Sequence, residues 1–274
     1  MKKLMVSLAL AFAVATPSFA AIQYDFVQKS TSDDGVLPTR DLTGRATVDG
    51  NGLRVDFLSG NLYPAGTYAV STDSSRNLYF VDPSKEWYTE VNTAGIATAL
   101  GTSGIEIENL KSKTEILADK PKIAGYDTIH HRVSLTYDMK VVMRGIPLKQ
   151  QVQTDIDLWT STEVAASGTD FLTGGMKTGD ADLDQLFAAE TSKVAGFPLR
   201  QLVTIHTRYD LPQRSKLQRS TARTITRETW VTAVRHVPPN AALFNVPATY
   251  RRSDQPELPK TSTQVLTFEE PSGR

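Results

Sequence analysis

The chain has 274 residues, with 30 basic and 30 acidic side chains and no cysteine. An even charge leaves no electrostatic footprint for nucleic acid, and without Cys the chain holds neither a disulfide nor a lipid on an N-terminal thiol. An apolar core must therefore hold the fold together.

Residues 1–20 read as an export signal: Lys2 and Lys3, an apolar run from Leu4 to Val14, then Ser18 and Ala20 around Phe19. Cleavage is expected after Ala20, giving a periplasmic or secreted protein. The run is shorter than the ~20 residues that span a bilayer, so it predicts no membrane anchor, and no transmembrane segment is expected in the mature chain. The expected organisation is a signal peptide over residues 1–20, a single β domain over 21–252, and a Pro-rich disordered tail over 253–274.

Ile22, Tyr24 and Phe26 alternate with polar residues and predict a strand near the new N-terminus, followed by a polar loop from Ser30 to Pro38. Asp41 to Asp49 and Leu53 to Leu58 flank Asp49-Gly50-Asn51-Gly52, whose Asp-Gly and Asn-Gly steps predict a hairpin turn. Further strands are expected over Thr67–Thr72, Asn77–Val81 and Glu86–Val91, which makes a β-meander with short polar connections. A short helix is expected between Asn92 and Leu100, ended by Gly101, and an irregular strand from Ile105 to Leu117.

The clearest signal runs from Arg132 to Trp159. Val133, Leu135, Tyr137, Met139, Val141 and Met143 occupy every second position, and only Val142 breaks the alternation. After a turn at Gly145-Ile146-Pro147 the pattern resumes with Val152, Thr154, Ile156 and Leu158. This is a long two-stranded ribbon with one buried face, and such a ribbon needs further strands beside it.

Thr160 to Gly179 is rich in Ser, Thr and Gly and reads as a loop or flap whose main apolar residues are Phe171 and Leu172. Asp182 to Val194 reads as a helix, capped by Asp182 and stopped by Gly196 and Pro198, with Leu183, Leu186, Phe187 and Val194 on one side. Strands return over Leu199–Tyr209 and Ala222–Val237, with a final turn at Pro238-Pro239-Asn240. About ten hairpin-linked strands with one principal helix predict an antiparallel sheet with helical decoration.

No catalytic or metal-binding group emerges, and no cofactor is implied. His130 and His131 are adjacent in a strand, so they point to opposite faces and cannot chelate one ion together. They are expected to be solvent-exposed. Asp155 and Asp157 share a face and are read as the polar, solvated side of a half-buried strand rather than a catalytic pair. No serine lies in a nucleophile elbow. Arg214, Lys216, Arg219, Arg223 and Arg227 form a basic span that either meets an acidic partner, lipid headgroup or phosphate, or protects an edge strand from aggregation; the second is favoured.

Four segments in order, Asn51-Gly52-Leu53-Arg54-Val55-Asp56, Val81-Asp82-Pro83-Ser84-Lys85-Glu86-Trp87-Tyr88, Ile123-Ala124-Gly125-Tyr126-Asp127-Thr128 and Leu243-Phe244-Asn245-Val246-Pro247-Ala248 with Tyr250, resemble the DUF4412 family of exported bacterial proteins, a domain of unknown function. That family is similar in outline to the LolA/LolB-like lipoprotein-carrier fold. The resemblance implies a mainly β fold: a curved antiparallel sheet, or half-open β-barrel, with one or two helices covering its concave face. No ligand-contacting residue of the carriers maps onto a position here, so the resemblance implies no more than an apolar concavity.

Two functions follow as expectations. The first is a non-enzymatic envelope protein binding a hydrophobic small molecule, acyl chain or lipid, with Phe171, Leu172, Leu183, Leu186 and Phe187 as a lid and Leu135, Tyr137 and Met139 on the concave face. The second is an interaction module that binds an envelope protein partner through an exposed edge strand and has no ligand pocket.

Overall fold

The computed structural model describes residues 21–33, 39–72, 77–92, 105–143, 146–164, 181–210 and 222–253. Six strands come first: β1 (Ala21–Ser32), β2 (Arg40–Asp49), β3 (Gly52–Gly60), β4 (Tyr68–Ser71), β5 (Asn77–Asp82) and β6 (Trp87–Asn92). The edge strand β7 (Ile105–Leu117) precedes a two-residue pair, β8 (Lys122–Ile123) and β9 (Tyr126–Asp127), which stands apart from the main sheet. The long ribbon is β10 (Ile129–Met143) and β11 (Ile146–Ser161), followed by helix α1 (Ala181–Thr191), β12 (Phe197–Asp210), β13 (Ala222–Val237) and the short β14 (Arg251–Arg252).

Twelve of these strands form a single curved sheet in the order β14-β6-β5-β4-β3-β2-β1-β13-β12-β11-β10-β7. It is open rather than closed into a barrel, and antiparallel except where β14 lies parallel to β6. The order resolves into two meanders, β1 to β6 and β7 to β13, joined where β1 lies beside β13 from Ala21↔Val237 to Ser32↔Ile225.

The ribbon pairs from Ile129↔Thr160 to Met143↔Ile146, so Ile146 and Pro147 belong to a strand and not to the expected turn. The Asp49–Gly52 hairpin is present, with Gly50 at φ +56°, a left-handed value that glycine adopts without strain. The helix expected between Asn92 and Leu100 and the tail beyond Ser253 lie outside the described residues.

β13 lies between β1 and β12, deep inside the sheet. The expectation that the basic span guards an edge strand is therefore overturned for Arg223 and Arg227, while Arg214, Lys216 and Arg219 lie outside the described residues. The pairing that buries β13 joins residues some two hundred positions apart, which no local pattern reports.

Alternate residues of the central strands face the concave side. Ile22, Tyr24 and Phe26 of β1 meet Leu42, Ala46, Leu53, Val55, Phe57, Phe197, Leu199 and Val231 in the larger core. A second cluster holds Val133, Leu135, Ile156, Leu158 and Val203. Burying each such side chain is worth roughly 1.5–3 kcal/mol. On the convex side Tyr68, Val70 and Val81 are covered by Val246 and Tyr250, which fold back after a 3₁₀ turn at Ala241–Phe244 capped by Asn240.

Candidate functional site

The concave face of β10 to β12 is where the candidate residues gather. Val133 and Leu135 are fully buried, and Leu186 and Val194, from α1 and the turn after it, pack against their cluster. One polar clamp fixes the helix. Glu190, 5% exposed, accepts hydrogen bonds from Ser112 at 2.9 Å, from Thr114, and from Lys193 at 2.7 Å. These contacts, the Lys193 ammonium foremost, lower its carboxyl pKa to about 2.

Further along β10 the cover thins. Tyr137 and Met139 are only half-buried, as are Ile205 on β12 and Ile225 on β13. Burial raises the Tyr137 phenol above its ordinary pKa, partly offset by a hydrogen bond with Thr154. The structure thus brings Leu135, Leu186, Tyr137 and Met139 to one face of the sheet. Phe171 and Leu172 lie outside the described residues, as do the side chains of Leu183 and Phe187.

The concave floor at Leu199, Gln201, Thr229 and Val231 is closely packed, with ≈ 0 Å³ left for water. A polar cleft of ≈ 300 Å³, lined by Gln151, Gln153, His206 and Arg208 among others, opens on the opposite, convex face.

Both strand histidines are buried, at 5% exposure each, against the expectation of exposed rings. His131 is in phase with Val133 and Leu135, so the alternation itself places it inward. Its Nε2 has no hydrogen-bond partner. Burial, and secondarily the nearby His130, push its pKa down, which favours the neutral ring.

His130 faces the convex side and sits between two carboxylates, with Nδ1 2.6 Å from Asp119 Oδ1 and Nε2 2.8 Å from Asp157 Oδ1. Its ring stacks on Trp159 at 4.1 Å, the indole N–H donates to Asp119, and the Arg200 guanidinium lies 4.4 Å from the same indole. Asp157 is buried and also accepts from Arg132, so it is not part of a solvated face as expected. Asp155 is the more open of the two, held by Ser134 and Gln153. The His130 and Trp159 hydrogen bonds hold Asp119 below the usual carboxylate range.

Both imidazole nitrogens of the buried His130 ring meet a carboxylate oxygen, which ties β10, β11 and the segment before β8 together. Asp119 and Glu190 were not singled out in the sequence, because Trp159 and the Ser112–Thr114 pair, which they meet, lie far from them in the chain. Among the described residues no three His, Asp or Glu side chains are placed to hold a metal ion, and no helix is long and apolar enough to cross a membrane.

No protein-family model matches the chain, and no curated protein matches it. The likeness to DUF4412 thus rests on the four short segments alone. Among solved structures the chain is similar to a LolA superfamily protein of Nitrosomonas europaea, over 83% of this chain and 91% of that one, at 8% identity and a TM-score of 0.29. At that score the likeness carries no argument about what the chain does, and the fold described above stands on its own strand pairing.

Proposed function

We propose that the mature chain, beginning at Ala21, is an exported, non-enzymatic protein of the cell envelope that holds a hydrophobic ligand, an acyl chain or a lipid, against the concave face of its sheet. The observation that supports this reading is the concave face beside α1: Leu135 is fully buried, whereas Ile205 and Ile225, in its register across Thr154, and Tyr137 and Met139, further along β10, are only half-buried. A plug needed only for stability has no reason to stop short of these residues, and a part-open apolar strip beside a closed core is what an elongated apolar ligand covers. Because the floor is closely packed, the ligand lies along the curved surface rather than in a deep hole.

The competing reading, a module that binds an envelope protein by strand addition, has its own support. Among the described residues β7 forms one edge of the sheet, thirteen residues long, and its Ile116 is 66% exposed.

A hydrophobic fluorescent probe separates the two. It should bind the native protein and be displaced by fatty acids, and Met139→Asp should weaken binding at least about tenfold, since a carboxylate in an apolar contact is costly. Ile116→Asp should leave binding unchanged. A native protein that takes up no probe removes the ligand reading and leaves the edge-strand module.

A further inference from the structure

Among the described residues β7 ends the sheet, with β10 on its inner flank and no strand on its outer one. Its pairing is interrupted once: Glu108 stands opposite Asp138 and Lys111 opposite Thr136, so Asn109 and Leu110 together fill the space that Tyr137 alone spans on β10. This is a β-bulge, made with Asn109 at φ +55°, a left-handed value that Asn tolerates better than most residues. The Asn109 side-chain amide holds it by donating to Asp138 at 2.8 Å. The extra residue shifts the alternation by one. Glu106 and Glu108 before it and Lys111 and Lys113 after it therefore share the convex face, opposite Lys140, Asp138, Thr136 and Ser134 of β10.

The charge changes sign at the bulge, carboxylates before it and ammonium groups after it, and all four side chains are exposed. Such a strand is complementary to itself. A two-fold axis normal to the sheet, between Asn109 and Leu110, maps β7 onto an antiparallel copy in which Glu106 meets Lys113 and Glu108 meets Lys111. Each pair occurs twice, with Ile107 against Ser112 on the concave face. Among two-fold registers, the one centred on the bulge alone pairs all four charges. A shift by one residue sets convex against concave positions, and a shift by two either sets Glu106 against Glu115 or leaves Lys113 opposite no residue of β7. Bulges and lysines on an edge deter a foreign strand, but in a two-fold copy each bulge meets its own image and each charge its opposite. Within the chain Glu106 and Glu108 already neighbour Lys140, at 3.7 and 2.5 Å, and Lys113 pairs with Glu115. The copies join these pairs into one ladder of both signs.

We propose that β7 is a homodimer edge: a second copy of this chain pairs with it from Ile105 to Thr114 in this register, and the two curved sheets continue into one another. Backbone hydrogen bonds supply the affinity. The exposed ion pairs, individually weak, supply the choice of partner and register. A seam of about ten residues a side is smaller than a standard protein interface, so the dimer dissociates in the micromolar range. It is independent of the hydrophobic ligand, since the axis is normal to the sheet and leaves both concave faces on the same side.

Sedimentation equilibrium of the chain beginning at Ala21, from about 1 to about 200 µM, tests this. The native protein should pass from monomer to dimer over that range. Lys111→Glu and Glu108→Lys each set like charges against one another in both copies, and each should weaken dimerisation at least about tenfold. An equimolar mixture of the two variants should dimerise as the native protein does, because Glu108 and Lys111→Glu of one copy then meet Lys111 and Glu108→Lys of the other. Two misfolded chains cannot produce that rescue. A native protein that stays monomeric throughout overturns the proposal. So does a dimer that both reversals leave intact, which places the contact elsewhere, and so does a mixture no tighter than either variant alone.

Discussion

At the scale of single residues the two faces of β10 and β11 obey different physics. The buried His131 leaves one ring nitrogen, Nε2, without a hydrogen-bond partner, and an unsatisfied buried atom of that kind costs about 1–3 kcal/mol. His131→Leu is therefore expected to match or exceed the native protein in urea unfolding. The pH dependence follows from the sign of its shift. A base with a depressed folded pKa contributes fully above its unfolded value of 6.5 and loses that contribution as pH falls through 6.5 toward the folded value. The native protein should weaken across that window more than His131→Leu does, in parallel melts at pH 7.5 and 5.5. On the convex face Asp157 serves both His130 and Arg132, so Asp157→Ala should cost about 1–3 kcal/mol by leaving the buried His130 ring without one of its hydrogen-bond partners, whereas Asp155→Ala should cost no more than about 1 kcal/mol. Chemical denaturation of both variants checks this, and equal losses would mean that the His130 cluster is not the anchor described.

At the scale of elements, α1 is a short helix whose described side chains hold it through Leu186 and the Glu190 carboxylate, with Val194 of the following turn packed beside them. Glu190 ties it to the edge strand through Ser112 and Thr114, with Lys193 closing the group. A carboxylate with a depressed pKa stabilises above its unfolded value and loses that stabilisation as pH falls through the folded one, here from 4.5 down to about 2. Hydrogen exchange in α1 should therefore rise over that range before the amides of β11 respond. Glu190→Gln should show the faster exchange already at pH 7. Uniform exchange across α1 and β11 at every pH would contradict a separately held helix.

At the scale of the whole molecule, the β1–β13 seam decides whether two meanders behave as one body. Phe26 is completely buried in that seam, and a Cβ added at Gly44 would come within 2.5 Å of its ring. Phe26→Ala should cost about 3–5 kcal/mol, and Gly44→Ala should also destabilise, by displacing the ring. Both variants should lower the protection of β5 and β11 together, because the seam couples the halves. Loss confined to one meander would show that the halves unfold independently. Ile116→Ala, at an exposed edge, should stay within about 0.5 kcal/mol of native.

What the sequence determined by itself is the strand alternation, because side-chain direction in a strand depends only on the neighbouring residues of the same strand. Val133, Leu135, Tyr137 and Met139 fall on one face for that reason, and the Asp49–Gly52 turn and the helix before Gly196 are equally local. What only the tertiary structure decided is which strands are neighbours. β1 beside β13 turns Arg227 from a presumed edge guard into an inward cation opposite Ser30. The pairing of β10 with β11 sets His130 against Asp157, both buried rather than on the surface. Both arrangements depend on contacts between chain segments far apart in sequence, whose geometry is fixed by burial of a shared core and leaves no period in the residues themselves.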